Sequence, residues 1–295
     1  MNKKIKNFLA EKKVGLILRS FTTKEEDIPN RISMMKETIE KALPVEIDGT
    51  PVISRIDILV FSNSQHKLSD CGKTYGAMNE SFLSYDNVFV TEIKQGDVFC
   101  SILNNGIMIQ SMNNITHSMI ASSEVNSYIN QEIMIDMIEA LSDGAKVTGV
   151  AINELTDSVR AGRIANTMAI WDNIALMTVG GFDLRAAKPV HDKDAFFMKG
   201  FNSEKGTVYY HLAGVEEVIP IARLIDIHGK CVAPILPKGD GAQIYVEPNP
   251  VKDQDLYERH ISKMGTKFER QCVFLAHIYK DMSYIKGGVM DNYPK

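Results

Sequence analysis

Short apolar runs alternate with amphipathic stretches along the first half of the chain. Residues 14–18 form a compact apolar run typical of a buried strand, and apolar residues then recur at helical spacing over 32–42 until Pro44. A second strand-like run covers residues 56–61. A strand, a helix and a second strand form a βαβ unit, which predicts parallel pairing.

The alternation continues as far as residue 152. The pattern predicts further strands over 87–91, 118–122 and 146–152, with helices over 98–112 and 129–141 between them. Regular alternation of this kind is typical of an open sheet with helices on both faces. We therefore expect an α/β fold with a mixed, mainly parallel sheet flanked by helices.

The second half is less regular. We predict a strand over 165–170, a short helix over 172–178, a loop-rich stretch over 186–210 and a helix over 215–227. Pro220 favours a later start for that last helix. The division expected is a main domain, 1–235, and a C-terminal helical extension, 236–295. The extension contains a long amphipathic helix over 255–284, which could dock on its own domain or on a second copy in a homo-oligomer.

Composition excludes several classes of protein. The net charge is −4, with 44% hydrophobic and 24% charged residues, so nothing indicates a nucleic-acid surface. No apolar run is long enough for a signal peptide or a transmembrane segment. The four cysteines form no CxxC pair, which argues against a zinc site. We expect a soluble, cytoplasmic protein.

Polar residues follow three of the predicted strands. Ligands of open α/β sheets bind outside the carboxyl ends of the strands, so these residues are candidates for binding. Arg19 could meet a base or a diphosphate there, or it could be an ordinary solvated arginine. The three groups are Arg19 to Thr23, Ser62 to Ser64, and Ser122 to Glu124.

Three further stretches, taken in order, resemble family 2-type glycosyltransferases of the glycosyltransferase A fold. The clearest covers 169–183 and ends in Val-Gly-Gly-Phe-Asp. The second is Gly-Val-Glu-Glu-Val over 214–218, with Arg-Leu and Gly-Lys downstream, and the third joins Asn-Asn-Gly over 104–106 to Ser-Ser-Glu over 122–124. The matched order spans roughly residues 14–235.

The resemblance implies a nucleotide-diphospho-sugar transferase that moves a sugar to an acceptor hydroxyl, on a glycan or another molecule, with inversion. A carboxylate would act as general base, and a divalent metal, Mn²⁺ or Mg²⁺, would offset the charge of the diphosphate. The implied roles are: base, Glu217 and Glu216; donor binding, Arg19, Ser20, Asn63, Asn104 and Ser122; acceptor binding, Trp171, Gly181 and Asp183; metal binding, Glu124 and His211.

The sequence departs from the family pattern at the metal and base-binding positions. The family's paired aspartates after the second strand are replaced by Ser62 and Asn63, although the amide of Asn63 can still pair with the edge of a base. Glu124 is the only ionised residue of the motif that normally reads Asp-x-Asp. His211 or His228 could add a ligand, but a lone histidine more often packs or caps.

These departures leave alternatives open. Glu216 and Glu217 at the start of a helix could simply favour the helix dipole. Trp171 could be a core residue rather than a platform for a sugar. The whole protein could be a degenerate member that binds a nucleotide sugar, a glycan or a protein without turnover. A nucleotidyltransferase ranks third, because no glycine-rich phosphate loop follows the first strand.

Overall fold

A seven-stranded sheet organises the computed structural model. The model describes residues 3–62, 72–97, 99–122, 128–151, 164–186, 197–202, 206–211, 215–237, 251, 254, 257–258 and 267–280. The strand order is β11-β7-β8-β6-β1-β4-β5, and every strand except β8 runs in the same direction. The strands of this sheet are β1 (Val14–Ser20), β4 (Ile53–Phe61), β5 (Val88–Ile93), β6 (His117–Ala121), β7 (Val147–Ala151), β8 (Ile164–Asp172) and β11 (Val232–Ile235).

Two small hairpins, eight α-helices and two 3₁₀ helices, Glu25–Asp27 and Leu184–Ala186, complete the described elements. The hairpins pair β2 (Glu46–Ile47) with β3 (Thr50–Pro51), and β9 (Phe197–Asn202) with β10 (Gly206–His211). The helices are α1 (Lys3–Glu11), α2 (Ile28–Ala42), α3 (Thr74–Phe82), α4 (Cys100–Met112), α5 (Gln131–Ser142), α6 (Asn173–Thr178), α7 (Val218–His228) and α8 (Lys267–Tyr279).

Helices cover both faces of the sheet. Strand residues alternate between the faces, so Ile17 of β1 packs into one core cluster while Leu16 and Leu18 pack into the other. The Ile17 cluster takes its helical residues from α4, α6, α7 and α8, and the Leu16 cluster takes them from α1, α2, α3 and α5. The predicted fold class, a mixed α/β fold with a mainly parallel sheet flanked by helices, is confirmed.

The C-terminal helix belongs to the same core as the sheet. Phe274 and Leu275 of α8 are fully buried in the cluster that contains Trp171. The sequence left two docking sites open for this helix, its own domain or a second copy, and the described residues of α8 pack on their own chain. The domain boundary at residue 235 and a homo-oligomer stay predictions.

Several local predictions differ from the structure. The stretch 186–210 was expected to be loop-rich, but it contains β9 and the greater part of β10. Pro234 lies within β11, which is an edge strand where a missing N–H is tolerated. Pro220 is confirmed as a sign of a later helix start, since α7 begins at Val218 and Pro220 lies in its first turn.

No helix among the described residues is long and apolar enough to cross a membrane.

His117 is a buried titratable group at the amino edge of the sheet, away from the candidate site. Burial lowers the pKa of His117 to about 4; Asp172, its partner on β8, opposes this, whereas Lys12 and Lys146 add to it. Its ring meets the Phe8 ring edge-on, with the centroids 5.0 Å apart, and Nδ1 lies 3.0 Å from the Thr116 hydroxyl. The folded protein therefore holds this imidazole neutral.

Stability is expected to rise with pH between about 4 and 6.5. In this window the unfolded chain binds a proton at His117 that the folded chain does not bind, so the free energy of unfolding gains up to about 3 kcal/mol and then levels off. The contribution of Asp172, whose pKa is lowered, is lost only at more acidic pH. Urea unfolding across this pH range measures the slope. His117→Phe should flatten it while the exposed His228→Gln keeps it, and parallel curves for wild type and His117→Phe would contradict the assignment.

Candidate functional site

The carboxyl ends of β1, β4 and β6 meet at one edge of the sheet, because these strands are parallel neighbours. Arg19 and Ser20 end β1, Ser62 follows β4, and Ser122 follows β6. The structure therefore brings the residues predicted from strand ends to a common edge. Asn63 and Glu124 lie outside the described residues.

Ser20 and Arg19 differ in how they are held. The Ser20 side chain is 1% exposed, and its hydroxyl has no hydrogen-bond partner among the described residues. The Arg19 guanidinium is half-buried and lies 5.7 Å from the centroid of the Phe99 ring. Within the described ranges no carboxylate forms an ion pair with Arg19. A cation and a hydroxyl with hydrogen-bonding capacity thus end β1 at this edge, on opposite faces of the strand.

Asp97 organises the start of α4 beside this edge. Its Oδ1 accepts hydrogen bonds from the backbone N–H groups of Phe99 and Cys100, at 2.7 and 2.6 Å, and its Oδ2 accepts one from Ser101 N–H at 3.0 Å. The Ser101 hydroxyl bonds the same carboxylate. These contacts satisfy N–H groups that a helix start leaves open. The sequence analysis missed Asp97, although an aspartate directly before a predicted helix is a recognised capping signal.

Asn104 clamps the Gly-Gly-Phe-Asp turn onto α4. Its Nδ2 donates to the Phe182 carbonyl and its Oδ1 accepts from the Phe182 N–H, both at 2.9 Å. Gly181 has a φ of +70°, and a Cβ there would lie 2.6 Å from Asn104 Oδ1. The clamp therefore requires glycine at 181. It also occupies the Asn104 amide, which the sequence analysis assigned to the donor.

Asp183 at the end of this turn is paired with Arg185. The Arg185 Nε lies 2.8 Å from Asp183 Oδ1, and its Nη2 lies 2.5 Å from Oδ2. Burial raises the pKa of Asp183, but the hydrogen bonds and charge of Arg185, with a smaller contribution from Arg223, bring it below its usual value. Asp183 is therefore ionised and held in a fixed orientation near neutral pH.

Trp171 is a core residue in this structure. It is 0% exposed, and its ring meets Phe182 edge-on at 5.2 Å between centroids. The indole Nε1 has no hydrogen-bond partner among the described residues. Of the two interpretations left open for Trp171, the packed core residue fits its burial. Its contact with Phe182 supports the turn that carries Gly181 and Asp183.

Glu216 and Glu217 lie just before and at the start of α7, and both are buried, with 7% and 2% exposure. The C-terminal helix α8 reaches them from the other side. Gln271 Nε2 of α8 lies 3.5 Å from Glu217 Oε1, and the neighbouring Arg270 is 5% exposed. Burial lowers the pKa of Arg270, while the charges of Glu216 and then Glu217 raise it. The sequence analysis did not find these two α8 residues.

The thiol of Cys100 lies in the first turn of α4, and several of these charged groups are close enough to shift its pKa. Burial raises its pKa well above the ordinary value, and the negative charges of Glu216 and Asp97 raise it further. Arg19 lowers it and Asp183 raises it, by smaller amounts. Charged residues from four separate segments thus converge at the start of α4, which defines the candidate site.

The described residues do not supply a ligand set for a metal. No group of three or more His, Cys, Asp or Glu among them could hold an ion. Three described acids near this edge are already bound: Asp97 to the helix start, Asp183 to Arg185, and Glu92 to Ser62 and Lys94. Of the predicted ligands, Glu124 and the His211 side chain lie outside the described part of the chain. The donor set of the described residues therefore does not fit Mn²⁺ or Mg²⁺.

Comparison with known proteins gives a likeness in three dimensions only. No family model and no curated protein matches the chain. Glucosyl-3-phosphoglycerate synthase from Mycobacterium tuberculosis, solved with Mn²⁺, UDP-glucose and phosphoglyceric acid, is similar over 91% of this chain and 83% of its own, at 10% identity and a TM-score of 0.47. A 4-diphosphocytidyl-2C-methyl-D-erythritol synthase from Anaerococcus prevotii DSM 20548 is similar over 86% and 99%, at 8% identity and a TM-score of 0.42. At these values no residue role passes from those proteins to this chain.

Proposed function

We propose that the protein is a nucleotide-sugar-dependent glycosyltransferase that transfers a sugar to a hydroxyl acceptor with inversion. The observation that carries the proposal is the convergence of Arg19, Asp183 and Glu216 around the first turn of α4. The sequence resemblance assigns these residues to donor, acceptor and base, and they come from separate segments. Membership of the family 2-type transferases and a cytoplasmic location stay predictions.

The donor side of the proposal rests on the end of β1. Arg19 has no ion-pair partner in the described ranges, and a nucleoside diphosphate brings the negative charge that a guanidinium binds through paired hydrogen bonds. The Ser20 hydroxyl, at the following position of β1, has hydrogen-bonding capacity that no described residue uses. Asn63 stays the candidate for the base edge, and Ser122 for the neighbouring strand end.

The acceptor side rests on the turn held by Asn104. The ionised Asp183, fixed by Arg185, can accept a hydrogen bond from an acceptor hydroxyl and orient it. A carboxylate oxygen of the Glu216–Glu217 pair, with Glu217 as the first choice, takes the proton from the attacking oxygen. The nucleoside diphosphate leaves as that oxygen bonds to the sugar.

Ligand binding and turnover test the proposal separately. Thermal shifts and calorimetry with UDP, GDP and CDP, and with their sugar conjugates, each with and without Mn²⁺, identify a donor. Release of nucleoside diphosphate from that donor then measures turnover. A protein that binds none of these nucleotides would contradict the proposal.

Arg19→Gln is expected to weaken binding of the nucleoside diphosphate about 10- to 100-fold, because a charge-assisted hydrogen bond to phosphate is worth about 1.5–3 kcal/mol. Lys24→Gln is the matched control, since Lys24 is an exposed cation close by whose only described ion pair is with Glu26. Calorimetry gives both affinities. Equal losses for the two variants would show a general effect of charge and not a site at Arg19.

A second candidate is a protein that binds a nucleotide sugar, a glycan or a protein partner without turnover. It is favoured by the engagement of Asp97 and Asp183 with partners inside the protein. This candidate predicts binding of a nucleotide together with no release of diphosphate from any donor. Turnover by the wild type rules it out.

A further inference from the structure

The C-terminal helix α8 forms one wall of the candidate site. Its Gln271 approaches Glu217, and its Arg270 is buried against the Glu216–Glu217 pair. One turn further along the helix, the Phe274 ring lies 5.7 Å from the guanidinium of Arg185, which holds Asp183. The same helix therefore contacts both the candidate base and the group that orients the acceptor candidate.

The docking of α8 is fixed at its far end. The hydroxyl of Tyr279 donates to Asp226 Oδ2 of α7 at 2.6 Å, and Phe274 and Leu275 lie in the core. A helix held along its length places Arg270 reproducibly. Burying a guanidinium is costly unless it faces negative charge, and here that charge comes from the two glutamates.

We propose that Arg270 is a positioning residue that orients the Glu216–Glu217 pair as the proton acceptor. The proposal rests on the proposed function and extends its site to the C-terminal helix. Arg270 acts through the glutamates and does not need to touch either substrate. Its cation offsets the repulsion of two adjacent buried carboxylates, and Gln271 directs the Glu217 oxygen.

The pH profile of kcat is the readout that a merely structural role would not move. Besides Arg270, the described titratable group that interacts with the pair is Cys100, through Glu216, and the same thiol is influenced by Asp97, Arg19 and Asp183. In Arg270→Gln the acidic limb of the profile should move to higher pH by about one unit, because the pair takes up a proton more readily without the cation. Arg270→Lys keeps the charge and should move the limb less. UDP affinity should stay within about twofold, since Arg270 binds no donor.

Tyr279→Phe is the matched control for the docking of the helix. It removes the hydroxyl that bonds Asp226 and leaves the charges at the pair unchanged, so it should lower thermal stability without moving the acidic limb. A uniform loss of kcat at every pH in Arg270→Gln, or the same limb shift in Tyr279→Phe, overturns the proposal.

A double-mutant cycle with thermal unfolding as its readout tests the interaction of Arg270 with Glu217 even if no donor is turned over. In the wild-type background, Arg270→Gln should lower Tm by about 5 °C, because it leaves two carboxylates buried without a cation. In a Glu217→Gln background the same substitution should cost about half as much. Equal losses in both backgrounds overturn the role of Arg270, whereas absence of nucleotide binding and turnover in the wild type overturns only the proposed function.

Discussion

Glu217→Gln is expected to reduce turnover by about 10²- to 10⁴-fold while leaving donor affinity unchanged. Glutamine keeps the shape of the side chain and its contact with Gln271, but it cannot accept a proton at neutral pH. Glu217 is 2% exposed, so little bulk water reaches it to act as a substitute base. Initial rates of nucleoside diphosphate release, with calorimetry for the donor, separate the two effects.

Glu216→Gln is the matched control, since it removes the adjacent carboxylate and preserves Glu217. We expect a smaller loss of kcat, because the contact with Gln271 that orients a carboxylate oxygen is made by Glu217. Full activity in Glu217→Gln shows that the base has been assigned wrongly. A large loss confined to Glu216→Gln moves the role to that residue.

Gly181→Ala is expected to lower the free energy of unfolding by about 3 kcal/mol. About 1–2 kcal/mol comes from placing a side chain at positive φ, and the rest from the pair of Asn104 hydrogen bonds that the new Cβ displaces. The turn that carries Asp183 shifts with it. Urea unfolding gives the stability, and turnover should fall with the loss of the acceptor position.

Gly49→Ala separates strain from the lost clamp. Gly49 has a φ of +74°, close to that of Gly181, and a Cβ there meets nothing within 4 Å. Its replacement should cost only the strain of about 1–2 kcal/mol. Equal losses at the two positions would mean that the Asn104 clamp contributes nothing measurable.

Much of the sheet could be predicted from the sequence because its strands are buried on both faces and form continuous apolar runs. The direction of β8 could not, since an apolar run indicates a strand and not which way it points. The β9–β10 hairpin was missed because residues 186–210 show no clear period. Pro234 concealed β11, where only an edge position makes a proline acceptable.

The candidate site also contains residues whose position the sequence could predict and residues whose position it could not. The position of Arg19 and Ser20 at the carboxyl edge of the sheet could be predicted, because that edge is a general place for ligands and β1 is a clear apolar run. Arg270 could not, because it lies more than fifty residues from Glu217 and joins it only through the packing of α8. Helical period marks Phe274 as a buried residue, but it does not say which part of the molecule covers it. Tertiary contacts of this kind are absent from any local pattern.

The reversed strand β8 also decides how the turn at Gly181 reaches the site. Because β8 runs against its neighbours, it ends at the amino edge, with Asp172 opposite His117. The six residues of α6, about 9 Å of helix, then lead the chain back toward Asn104. Helix α6 thus covers part of the way from the amino edge of the sheet to the start of α4. One inserted residue would turn Gly181 by about 100° around the helix axis, so the length of α6, as well as its composition, sets the position of the Gly181 turn relative to Asn104.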